Sequence, residues 1–209
     1  MSLHVLSVAS EAVPLVKTGG LADVVGALPA ALAAQGVTVT TLLPGYPAVI
    51  AAAKRAKVMH SFDALLGEPA RLLSATLNGH PLLILDAPAY FARDGGPYGD
   101  ASGKDWPDNW RRFAAFGRAA ADLAAGQVKG LAFDLIHAHD WQAGMALAYL
   151  RFASPKGAVI PPSVMTIHNM AFQGYFPANV FSKLGLPEKA WALDGVESYG
   201  GVGFLKAGM

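Results

Sequence analysis

The sequence predicts a doubly wound, mostly parallel α/β sheet, and three observations predict it. Short apolar runs alternate along the chain with alanine-rich segments of helical character, the order that builds a parallel sheet covered by helices. Hydrophobic residues make up 53% of the 209 residues and charged residues only 15%, which suits buried strands and is the reverse of a disordered composition. The pair Gly19-Gly20 stands between the first apolar run and the first alanine-rich segment, where a parallel fold turns from strand to helix.

Taken in order, residues 3–9 read as the first strand, 23–35 as the first helix, 37–43 as the second strand and 48–57 as the second helix. Asn78-Gly79 separates the apolar runs 72–77 and 81–85; this dipeptide is the strongest short-range hairpin signal, so one antiparallel β-hairpin excursion is expected, with 82–85 rejoining the sheet. Residues 109–125 read as a helix, 135–138 as a strand, 141–152 as a helix and 164–167 as a strand. Residues 94–107 have no periodicity and hold Gly95, Gly96, Gly99 and Gly103 with Tyr98 and Trp106 interspersed. A loop this long inside a compact domain is functional or mobile. No internal repeat is visible.

Length fits one domain with a substantial core. A net charge of +1 with scattered Lys and Arg provides no footprint for nucleic acid. The chain has no cysteine, which excludes disulfides and thiolate chemistry and is compatible with a reducing compartment. Mean hydropathy is positive at +0.35, yet the longest apolar region, 24–43, is broken by Pro29, Gln35 and Gly36, so no membrane span is expected. No Lys or Arg precedes Lys17, and Glu11 and Pro14 interrupt the N-terminal apolar run; this is unlike a secretory signal. A soluble, cytoplasmic protein is expected.

The chemistry concentrates after the strands. In Lys17-Thr18-Gly19-Gly20-Leu21-Ala22-Asp23, a glycine turn leads into a helix start, so backbone N–H groups and a movable positive charge can meet an anion or a sugar. Taken alone, the glycines can equally serve a tight turn, Lys17 can be a solvated surface lysine, and Asp23 can be a first-turn acid at a helix dipole. His139-Asp140-Trp141 follows one strand and His168-Asn169 another, positions that face the ligand crevice of such sheets. Asp140 can also be a helix N-cap, and a lone histidine such as His168 can be a hydrogen-bonded structural residue. His137 and His139 are expected to alternate to opposite faces of their strand, which argues against a shared metal, and no other metal-ligand spacing is present. Neither metal nor cofactor is expected.

The stretch from Glu11 to Val24 closely resembles the N-terminal signature of bacterial glycogen synthases and plant starch synthases. Asp108-Asn109 with Arg112-Phe113, His137-Ala138-His139-Asp140-Trp141, Thr166 to Gly174 and Phe204-Leu205-Lys206-Ala207-Gly208 follow in the family's order, so that the resemblance runs from about residue 4 to the end. It implies the N-terminal, Rossmann-like half of a two-domain GT-B glycosyltransferase spanning residues 1–209. The chain stops at Met209 in what looks like the first part of a helix, and it is therefore read as a fragment whose own C-terminal, nucleotide-binding domain is its natural partner.

The resemblance further implies a retaining transfer of glucose from ADP-glucose to the non-reducing end of an α-1,4-glucan such as glycogen or a malto-oligosaccharide. Lys17 and the Gly19-Gly20 backbone then meet the donor pyrophosphate, with Asp23 and Asn169 on the donor side. His168 orients the donor glucose, the leaving phosphate itself being the base. Tyr98, Asp140 and Trp141 border the acceptor and sugar, and Gln173 with Gly174 shapes the adjoining loop. An NAD-type oxidoreductase is a poor fit: Lys17 to Ala22 lacks the G-x-G-x-x-G spacing, and the strand 37–43 runs into Pro44-Gly45 in place of an acidic residue. A non-catalytic glucan-binding module, stacking sugars on Trp106, Trp110 and Trp141, is the remaining alternative.

Overall fold

A computed structural model describes residues 2–209. The elements run β1 (Leu3–Val8), α1 (Gly20–Ala33), β2 (Val37–Pro44), α2 (Pro47–Ala52), β3 (Lys57–Leu65), β4 (Glu68–Leu77), β5 (His80–Asp86), α3 (Pro88–Phe91), α4 (Asn109–Ala124), β6 (Leu135–His139), α5 (Asp140–Ala153), β7 (Ser163–Thr166), β8 (Tyr175–Pro177), β9 (Glu197–Ser198), β10 (Gly201–Gly203) and α6 (Phe204–Ala207). Seven strands form one sheet in the order β3-β4-β5-β2-β1-β6-β7. The expected doubly wound α/β sheet is present, and its β5, β2, β1, β6 and β7 run parallel.

The strand order places the site. From β1 the chain moves outward on one side to β2 and β5, then crosses back to lay β6 on the other side of β1. Right-handed crossovers put the connections on opposite faces, so a crevice opens at the carboxyl ends of β1 and β6. The segment after β1 carries Gly19-Gly20, the end of β6 runs into Asp140, and β7 ends just before His168.

Three expectations are corrected. The second helix ends at Ala52, and residues 57–65 form the antiparallel edge strand β3. Its side chains are mostly exposed, so no apolar alternation marks it in sequence. The antiparallel excursion therefore contains two pairings, β3 with β4 and β4 with β5. The expected hairpin turn is there, Asn78 and Gly79 both having positive φ, 51° and 82°, as a type I′ turn requires. A small sheet in the order β8-β10-β9 was hidden by strands of two or three residues, too short for any periodicity. The first helix begins at Gly20, ahead of the expected Asp23.

The core is one cluster from the sheet, α4 and α5. α4 and α5 pack closely because Gly117 lacks a side chain: a Cβ there would lie 2.8 Å from the Ala146 nitrogen. Arg112 is fully buried on α4. Its guanidinium donates to the carbonyls of Tyr90 (2.7 Å) and Pro97 (2.9 Å) and to Asn109 Oδ1 (2.7 Å), tying the segment after α3 to the helix. This gives the Asp108-Asn109/Arg112-Phe113 motif its structural role. No helix among the described residues is long and apolar enough to cross a membrane.

Candidate active site

A cleft of about 710 Å³ opens at the carboxyl ends of β1, β6 and β7. One wall is the turn Thr18-Gly19-Gly20 with Leu21 and Val24; facing it are Tyr98, Asp105 and Asn109; the floor is Asp140-Trp141-Gln142; the last wall runs from His168 to Phe176. Of the residues expected at the site, Gly19, Gly20, Tyr98, Asp140, Trp141, His168, Asn169 and Gln173 all line this cleft. Lys17 and Asp23 lie outside its lining. Lys17 Nζ donates to both Asp23 carboxylate oxygens at 2.7 Å, and both side chains are about half exposed. A ligand drawing on Lys17 must compete with that pair.

Glu11, to which sequence reasoning assigned no role, organises the glycine turn. Only 2% exposed, its carboxylate accepts from Thr18 Oγ1 at 2.6 Å, from the Gly19 N–H at 3.4 Å, and from the Thr18 N–H and Tyr98 hydroxyl through short contacts. A carboxylate is acceptor-only and takes several donors at once. Sequence gave one hint: a carboxylate inside an otherwise apolar stretch directly after a strand. With Glu11 committed to the turn, the first N–H groups of α1 have no side-chain cap and stand at the cleft wall, where they can meet an anion.

The long loop without periodicity, residues 94–107, lines the cleft through Tyr98 and Asp105. The loop folds on itself through an isolated bridge between Gly99 and Asp105. Tyr98 O accepts from the Trp106 N–H (3.0 Å) and Asn109 Nδ2 (2.8 Å). The Tyr98 hydroxyl lies 2.7 Å from Ser10 Oγ and donates to Glu11. Burial first, then the charges of Tyr46 and Glu11, raise its pKa well above the ordinary tyrosine value, so it remains a donor. The ring is a fixed cleft wall, 5.9 Å from Phe113 and 6.3 Å from Trp141 between centroids.

Asp140 is not an N-cap. It is the first residue of α5, after His139 as the cap, and holds φ at +56°. Such a conformation is uncommon outside glycine and persists where neighbours over-determine it. Here Oδ1 accepts the His168 N–H at 2.6 Å and the Asn169 N–H at 3.4 Å, so Asp140 fixes the segment leaving β7. Asn169 Oδ1 in turn accepts the Ala171 N–H at 2.9 Å. The carbonyls of Gln173 and Gly174 accept the N–H groups of Leu205 and Phe204, each at 3.0 Å, which explains why the Phe204-Leu205 motif accompanies the site. Gly174, at φ +59°, faces the Trp141 ring so closely that a Cβ would lie 2.5 Å from it.

The histidines are arranged otherwise than expected. Residues two apart on a strand share a face, and the His137 and His139 rings lie 4.0 Å apart between centroids, not on opposite faces. His139 is fully buried; its Nδ1 is 3.0 Å from His168 Nε2 and its Nε2 is 3.1 Å from Ser7 Oγ. Burial, followed by the charges of His137 and His168, pushes its pKa down to about 2. His137 Nε2 lies 2.7 Å from Thr166 Oγ1. Among the described residues, no group of three or more His, Cys, Asp or Glu side chains is placed to hold a metal ion.

A family model described as the starch synthase catalytic domain matches residues 4–209. A glycogen synthase of Novosphingobium aromaticivorans is 70% identical over 209 residues, covering 100% of this chain and 43% of that protein. A glycogen synthase of Mesorhizobium japonicum is 56% identical over 207 residues, covering 99% of this chain and 42% of its own length. Among solved structures, the catalytic domain of starch synthase IV from Arabidopsis thaliana, bound to ADP and acarbose, superposes with a TM-score of 0.79 at 29% identity, over 100% of this chain and 43% of that one. The chain thus spans about two fifths of the length of these relatives.

Proposed function

Because this chain belongs to the family of starch synthase catalytic domains, we propose that it is the acceptor-side half of a glycogen synthase, transferring glucose from ADP-glucose to the non-reducing end of an α-1,4-glucan with retention of configuration. The observation that carries the reading is the cleft itself. It lies at the switch point of the sheet, with uncapped helix N–H groups on one wall and aromatic and polar side chains on the others. The Arabidopsis starch synthase IV domain, whose solved structure is bound to ADP and acarbose, supports a nucleotide and a glucan-like saccharide as occupants.

In this reading the Gly19 and Gly20 turn and Lys17 take the donor pyrophosphate, where preorganised N–H groups and positive charge stabilise the leaving group. Asp23 holds Lys17 until the donor arrives. His168 and Asn169 contact the donor glucose. The Asp140 oxygen not engaged by backbone, the Trp141 edge, the Tyr98 ring and Gln173 line the acceptor path. A second domain supplies the remaining charge on the leaving phosphate. The glucan-binding-module reading is disfavoured by the tryptophans. Trp106 and Trp110 already carry Arg93 and Lys183 over their rings, at 5.0 and 5.7 Å, and Trp141 is only 8% exposed.

The test is glucosyl transfer to glycogen by the chain alone and by the chain joined to the C-terminal half of a relative, with ADP-glucose and UDP-glucose as donors. Transfer from ADP-glucose by the joined protein only is expected. Full turnover by the chain alone, or a joined protein that binds malto-oligosaccharide without transferring, overturns the reading.

A further inference from the structure

Ser7 and His139 lie outside the cleft lining, yet their hydrogen bonds lead to His168. We propose that they are positioning residues that fix the proton of His168 on Nδ1, so that its ring offers the cleft an N–H donor. The proposal deepens the reading of His168 as the group that orients a sugar hydroxyl, and rests on that reading for its catalytic use.

The argument follows the protons. Ser7 is 1% exposed on β1, and among the described residues the only hydrogen-bond partner of its Oγ is His139 Nε2. A hydroxyl has one proton and two lone pairs. If Oγ accepted from Nε2, its own proton would be buried without an acceptor, the costlier arrangement. Ser7 therefore donates, and Nε2 of His139 is a bare acceptor. Burial and the flanking imidazoles of His137 and His168 keep the His139 ring neutral, so its single proton sits on Nδ1. That proton points at His168 Nε2, 3.0 Å away. Two protons cannot occupy one hydrogen bond, so Nε2 of His168 is bare and its proton is on Nδ1. No protein group among the described residues hydrogen-bonds His168 Nδ1, and His168 lines the cleft. His137, the other titratable neighbour, is engaged with Thr166 and makes no hydrogen bond to the relay.

A donor at Nδ1 suits the oxygen of a sugar hydroxyl and leaves no free ring nitrogen to act as a base. His168 thus orients and does not deprotonate. Long-range ¹H–¹⁵N spectra of protein labelled at the histidine ring nitrogens read this directly, without substrate. Expected are a protonated Nδ1 and a bare Nε2 in both His139 and His168. In Ser7→Ala, which removes one oxygen, both rings are expected to move to averaged shifts between the two tautomers, with a lowered melting temperature because a buried His139 ring nitrogen loses its partner. A protonated Nε2 on His168, or ring patterns unaltered in Ser7→Ala, overturns the proposal. If the wild-type pattern and its change in Ser7→Ala are both seen but His168 Nδ1 does not respond to ADP-glucose in the chain joined to the C-terminal half of a relative, the proton relay stands and the sugar-orienting reading fails alone.

Discussion

Replacing Glu11 with glutamine tests whether one buried carboxylate holds the cleft open in its observed shape. The side chain keeps its length, so no cavity forms. What changes is that one acceptor oxygen becomes an NH₂ facing donors. Four donors converge on Glu11: the Thr18 N–H and Oγ1, the Gly19 N–H and the Tyr98 hydroxyl. The Gly19 contact is long at 3.4 Å and contributes little, and Tyr98 can turn to Ser10 Oγ at 2.7 Å. The net loss is then about one charged hydrogen bond, roughly 1.5–3 kcal/mol. For a chain of this size that lowers the melting temperature by roughly 3–12 °C. The assay is a double-mutant cycle with Tyr98→Phe in urea unfolding, because both changes break the same contact. A coupling of at least about 0.5 kcal/mol is expected for residues sharing a hydrogen bond. Strict additivity would refute the idea that Glu11 joins the glycine turn to the Tyr98 loop.

Lys17→Gln should leave urea stability within about 0.5 kcal/mol, since its partner Asp23 is a surface acid and exposed pairs are worth little, while raising KM for ADP-glucose in a complete synthase; an unchanged KM and kcat would remove Lys17 from the donor site. Gly174→Ala should destabilise by about 1–3 kcal/mol, because the new Cβ meets the Trp141 ring at 2.5 Å and φ is +59°; wild-type stability with an unshifted Trp141 emission would contradict that packing. His139 is buried neutral with its pKa pushed down to about 2, against about 6.5 in the unfolded chain. Below about pH 6.5 the unfolded state takes up a proton that the folded state refuses, so stability present at neutral pH falls by about 1.4 kcal/mol per unit on acidification. His137, also lowered by burial, adds in the same direction. Urea midpoints should follow this slope, and His139→Gln should flatten it; an unchanged slope in the variant would mean that His139 is not the group responsible.

The legible part of this fold is the part where side-chain period or turn chemistry decides the structure. The buried strands β1, β2 and β6 show as apolar runs, and Asn78-Gly79 announces its turn because only a few residues accept two successive positive φ values. β3 was illegible because it is an edge strand with both faces largely wet. Within the site, the motif positions were readable, and most of them line the cleft. Their partners were not. Glu11 and Ser7 act through contacts 7 to 132 residues distant in sequence, which no local pattern encodes. The relation of His137 to His139 was available from strand geometry alone, since a two-residue spacing returns to the same face; the opposite-face expectation misapplied that rule. The place of Tyr98 beside the cleft was legible only through the resemblance, and its anchoring to Glu11 and Ser10, far off in sequence, was not legible at all.

The central claim is that glucan enters the cleft between the glycine turn and the segment after β7. Titration of the protein with a malto-oligosaccharide, followed at the indole N–H resonances of its four tryptophans, tests it most directly. Trp141 lines this cleft, whereas Trp191 packs on Phe181 in a separate surface depression. The account predicts a saturable shift of the Trp141 resonance with Trp191 unmoved, and loss of that shift in Gly174→Ala. A titration that moves Trp191 and leaves Trp141 in place would contradict it.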